Sequence, residues 1–82
     1  MSTDAQKIRE HLSHNQLVDA LTLARRLARA NPGDLKARAL LLEVLFAKGE
    51  HGAVQTELAA MERDKVNHAE LQKLRARFKR RT

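Results

Sequence analysis

Cysteine, tryptophan and tyrosine are absent from this chain of 82 residues, and phenylalanine occurs only twice. Without cysteine there is no disulfide framework and no thiolate metal site. So few aromatics leave little from which to build a β-sandwich or barrel. One proline and three glycines are too few for a chain disordered throughout. No apolar run reaches the roughly 20 residues that span a bilayer. The N-terminus lacks the apolar stretch of a secretory signal, so a cytoplasmic location is expected. What remains is rich in Ala, Leu, Arg, Lys, Glu and Gln, the strong helix formers. The length allows one domain, with a poor ratio of core to surface.

Acidic residues are missing from one place in particular. Residues 1–70 carry ten Lys/Arg and ten Asp/Glu, which cancel. The net charge of +6 therefore lies wholly in Lys73, Arg75, Arg77, Lys79, Arg80 and Arg81. This is a neutral domain with a basic end rather than a generally basic protein.

Hydrophobic spacing predicts five helices. Thr3 and Gln6 have capping-box spacing, and Asp4 suits the positive end of a helix dipole. Ala5, Ile8 and Leu12 then form one narrow apolar stripe. Asn15 is the expected cap of a second helix, Gln16 to Ala30, with Leu17, Ala20, Leu21, Ala24, Leu27 and Ala28 on its apolar side. Arg25, Arg26 and Arg29 lie toward its C-terminal half, where the dipole favours cations. Asn31-Pro32-Gly33-Asp34 is the strongest turn signal in the chain. Asp34 caps a central helix from Leu35 to Lys48, which Gly49 ends. Eight of the nine residues from Ala39 to Ala47 are apolar. Such a helix is expected to be covered on several sides. A fourth helix runs from His51 or Gly52 to Asp64 and buries Val54, Leu58 and Met61. Asn67 with Glu70 caps a fifth, which buries Leu71, Leu74 and Phe78 and frays near Arg80. Short connections place neighbouring helices antiparallel.

The chain also repeats itself at an offset of 34. Ala5 falls on Ala39, Ile8 on Leu42, Leu12 on Phe46, Ala20 on Val54, Ala24 on Leu58 and Leu27 on Met61. The breaks recur too, Asn15 on Gly49 and Pro32 on Val66. On these residues the chain resembles the tetratricopeptide repeat family, whose period is 34 residues. Ala20 stands at the family's small crossing residue and Pro32 at its closing proline. Ala47-Lys48-Gly49-Glu50 looks like the turn within a repeat. The second repeat departs from the pattern, with Val54 and Val66 at those two positions.

The resemblance implies an all-α, right-handed stack of antiparallel hairpins. Two hairpins, 1–34 and 35–66, would be followed by a C-terminal capping helix, 67–80. It also implies a non-catalytic scaffold for protein contact, an adaptor or chaperone-like module, and no cofactor. In that family the concave groove is lined mainly by the first helix of each hairpin. Carried over by position, the partner-binding residues would be Arg9, Lys36, Leu40, Glu43, Phe46, Lys73 and Arg77. A floor of Leu40 and Phe46 with basic walls would suit an amphipathic or acidic segment. The best known groove of the family clamps a C-terminal carboxylate with Lys, Asn and Arg. Here Arg9, Leu40 and Leu74 replace the expected asparagine, asparagine and arginine, so that activity is not implied. About three repeats are usually needed for stability. An end or groove surface is therefore expected to be covered by a partner or by a second copy in a homodimer; the alternative is a marginally stable monomer.

Other chemistry is sparse. His11 and His14 are one turn apart but lack the further ligands a metal needs, and no metal is expected. His51 and His68 sit at helix starts and are expected to be solvated. The alternative function is a small basic protein that binds nucleic acid through its last helix. Its six cations would neutralise phosphates, although Phe78 belongs to the core pattern and offers no platform for bases.

Overall fold

The computed structural model describes residues 3–78. Five helices follow one another: α1 (Asp4–Ser13), α2 (Leu17–Ala30), α3 (Leu35–Ala47), α4 (His51–Arg63) and α5 (His68–Arg77). No strand occurs among the described residues. Lys79, Arg80 and Arg81 of the basic end, and with them the expected end of the fifth helix at residue 80, lie outside them.

Three of the helix starts are capped by the side chains the spacing named. The Thr3 hydroxyl accepts from the Gln6 amide at 3.1 Å. The Asp34 carboxylate accepts from the Lys36 and Ala37 amides at 3.0 and 3.4 Å. Asn67 accepts from the Glu70 amide at 3.2 Å. Each satisfies a donor that the helix itself leaves unpaired.

The start of α2 differs from expectation. Asn15 does not cap it. It takes a left-handed φ of 57° and closes α1 instead. The Gln16 amide donates to the His11 carbonyl and the Asn15 amide to that of Leu12. That is the Schellman pattern, in which one left-handed residue satisfies the last carbonyls of a helix. Gln16 becomes the cap and makes no side-chain cap bond. The same device recurs one period later, with Gly49 at φ 76° and amides of Gly49 and Glu50 bonded to Phe46 and Leu45.

The two hairpins end differently. After α2 comes Pro32, which holds the preceding residue away from helical geometry, and Asn31 has φ −133°. After α4 there is Val66 in place of proline. There Lys65 enters the left-handed region, φ 58°, and completes a third Schellman pattern. A residue with a Cβ is strained in that conformation. Lys65→Gly is therefore expected to stabilise the protein by about 1 kcal/mol. An increase in the urea midpoint at unchanged slope is the readout.

Helix α3 forms the centre, with Ala37, Leu40, Leu41, Leu42, Val44 and Leu45 all buried. Each helix packs on the next in sequence, and α1 also reaches α3. Ile8 comes from α1, Ala20 and Ala24 from α2, and Val54, Leu58 and Met61 from α4. Leu71, Leu74 and Phe78 close the core from the C-terminal side. Ala20 and Ala24 are both fully buried, and their small size lets α2 approach its neighbours closely. Full burial of one such leucine or isoleucine contributes about 1.5–3 kcal/mol against the entropy of ordering the chain.

Candidate interaction surface

Arg9, Glu43 and Arg77 are spaced one 34-residue period apart, on α1, α3 and α5. The Arg77 guanidinium donates to the Glu43 carboxylate and ties α5 to α3. It also lies over the Phe78 ring, 5.0 Å from its centroid. Phe78 is buried and packs at 5.6 Å from Phe46. Phe46 in turn meets His51 edge-on at 5.3 Å. Glu43, Phe46 and Arg77 thus meet in one seam between α3 and α5. The seam joins an ion pair to a small aromatic cluster, and Phe46 remains half-exposed within it.

The other expected groove residues stand outside this seam. Arg9 is exposed on α1 and has no ion-pair partner among the described residues. Lys36 is exposed in the first turn of α3. Lys73 is exposed on α5 and lies 3.5 Å from Glu70 of the same helix. Leu40 does not join them. It is 4% exposed and belongs to the core. Because α3 is apolar almost all round, its neighbours cover Leu40 and leave Phe46 nearer the surface. The expected apolar floor is therefore reduced to Phe46. His51, expected to be solvated, is half-buried against that ring, whereas His68 is exposed. His11 Nδ1 lies 2.7 Å from Gln16 Oε1, a local contact across the turn.

The helical stack and its register invite comparison with known families. A family model described as Tetratricopeptide repeat matches residues 11–78. The chain belongs to the tetratricopeptide repeat family. No curated protein and no solved structure matches it. Tetratricopeptide repeats generally mediate protein–protein interaction. Leu40 and Leu74, which replace two of the polar residues expected of a carboxylate clamp, are both core residues. No described helix is long and apolar enough to cross a membrane.

The basic end of this tetratricopeptide chain is partly engaged by its own acids. Arg75 pairs with Glu62 of α4 at 2.6 Å, and Arg77 with Glu43 of α3. These contacts fasten α5 to the preceding hairpin. Phe78 is 4% exposed, so no base can stack on it. Arg38 is a structural residue that the sequence reading missed. It is 8% exposed, and its guanidinium donates to the Pro32 carbonyl at 3.3 Å and to Asp64 at 2.9 Å. It thereby clasps the turn before α3 to the end of α4. The only available signal was the pairing of opposite charges 26 residues apart, which no local pattern selects.

Proposed function

We propose that the protein is a non-catalytic interaction module, an adaptor, scaffold or chaperone-like component of the cytoplasm. It binds another protein or peptide along the face shared by α1, α3 and α5. In this reading residues 1–34 and 35–66 are the two repeats and 67–80 the capping helix. The observation that supports it most is the row of Arg9, Glu43 and Arg77, in register and alternating in sign, with Phe46 beside it. Exposed Lys36 and Lys73 extend the row with positive charge. Alternating charge gives register and encounter rate, and a half-exposed ring gives an anchor. An acidic or amphipathic segment fits this face best. The occupant is either a separate protein or a second copy in a homodimer. Leu40 takes no part, being buried.

The test places a photo-crosslinking residue at Lys36 or Lys73 in the full chain and compares it with Arg63 on α4. The expected result is one dominant protein adduct from the first two positions and none from the third. With the crosslinking residue at Lys36, charge reversal at the exposed Arg9 and Lys73 should abolish the adduct while the helical circular dichroism is kept. Adducts of equal yield from all three positions would overturn the assignment of the face. Sedimentation over a concentration series tells a homodimer from a foreign partner. Micromolar nucleic-acid binding that weakens steeply with salt would instead favour the basic-helix alternative.

A further inference from the structure

We infer that the outer face of α2 is a second docking surface, which takes an acidic amphipathic helix from a partner protein. This surface is separate from the α1–α3–α5 face. Val18, Thr22, Arg25, Arg26 and Arg29 are exposed there, with Leu21 half-buried at the margin. From Val18 to Arg29 the stripe runs about 16 Å at 1.5 Å per residue.

The N-terminal part of the stripe carries its apolar residues, with exposed Asp19 at its edge. Val18 is 69% exposed, and no other large hydrophobic residue among those described stands out in this way. The Thr22 hydroxyl donates to the Val18 carbonyl at 3.1 Å. Its one donor is thus spent within the helix.

The C-terminal part is cationic and makes no ion pair among the described residues. Three arginines elsewhere are paired with acids, Arg38 with Asp64, Arg75 with Glu62 and Arg77 with Glu43, while Arg9 and Arg63 stand singly on α1 and α4 with no such partner among the described residues. Among the described residues no carboxylate pairs with Arg25, Arg26 or Arg29. Glu57 shares a cleft of about 230 Å³ with Arg25 and Arg29 and still pairs with neither. The helix dipole accounts for one of the three, because its effect fades beyond the last turn and only Arg29 lies in that turn.

These features select the occupant. Guanidinium groups pair with carboxylates through two parallel hydrogen bonds. Three of them within about one turn match carboxylates spaced three and four residues apart on a facing helix. Val18 and Leu21 then require an apolar residue about two turns away. A nucleic acid would leave that apolar end unused, and the face has no aromatic ring for a base. The partner segment is therefore a helix of about three turns, acidic at one end of its contact stripe and apolar at the other.

The probe is a synthetic alanine-based helix of sixteen residues with three glutamates and one leucine in that arrangement. It is titrated into the isotope-labelled full chain while amide shifts are followed by nuclear magnetic resonance. Shifts should centre on residues 18–29. Changing the three glutamates to glutamine, or Arg25→Glu with Arg29→Glu in the protein, should weaken binding about tenfold or more. Lys36→Glu with Lys73→Glu should leave it unchanged, which separates this surface from the α1–α3–α5 face. Shifts centred on α3 and α5, equal binding of the glutamine peptide, or no shifts at millimolar peptide would each overturn the proposal. So would tighter binding of a sixteen-base-pair duplex at 150 mM salt, in favour of nucleic acid. A dimer that the α2 variant dissociates would overturn it in favour of a second copy.

Discussion

Leu42→Ala is expected to remove about 3 kcal/mol of stability. Leu42 is fully buried near the middle of α3, and its period mate Ile8 is fully buried on α1. Truncation loses the transfer energy of the side chain and leaves a cavity that closely packed helices close only in part. The loss is large beside the total, because small domains lie toward the low end of about 5–15 kcal/mol. For a chain of this size each kcal/mol moves the midpoint by about 4–8 °C. The melting temperature should therefore fall by about 12–24 °C. Thermal and urea unfolding followed by circular dichroism give the number. A loss below about 1 kcal/mol would mean that the core around α3 is loosely packed.

Phe78→Ala should have a large effect confined to one helix. The ring is buried against Phe46, and removing a core phenylalanine commonly costs about 3–5 kcal/mol. Helix α5 is the last described element, however, and packs chiefly on α4. Its ties to α3 are the aromatic contact and the Arg77–Glu43 pair. In a stack held by nearest-neighbour contacts, an end helix can undock before the rest unfolds. The penalty is then limited to the docking energy of α5. Hydrogen exchange should show α5 amides losing protection while α3 amides keep most of theirs. Exchange that rises equally in all five helices would mean that α5 is part of one cooperative unit. Undocking also breaks the seam, so the proposed binding face exists only while α5 is seated.

Both predictions concern how the faces of α3 are divided among its neighbours. Leu42 lies where coverage is complete, and Phe46 where it is partial. That division decides whether an apolar residue stabilises the chain or is left for a partner.

The helices, their caps and most of the core were legible in the sequence because they depend on local chemistry. Thr3, Asp34 and Asn67 cap through amides two or three residues away, and Gly49 ends a helix by its own backbone freedom. Ile8, Ala20, Ala24, Val54, Leu58 and Met61 could be named as core because one-sided helices declare their buried face by spacing. The 34-residue register could be read in the same way, and it carried the resemblance to the family. The tertiary structure alone decided the rest. It placed Leu40 in the core and left Phe46 half-open, since a helix apolar on every side carries no periodic mark of which side its neighbours leave uncovered. It put Asn15 in a left-handed turn rather than at a cap, a choice between two conformations that asparagine favours. It joined Arg38 to Asp64 and Arg77 to Glu43, pairs 26 and 34 residues apart. Such pairs form only after the helices have packed, and nothing in the local sequence distinguishes an arginine that will find an acid from one on α2 that will not.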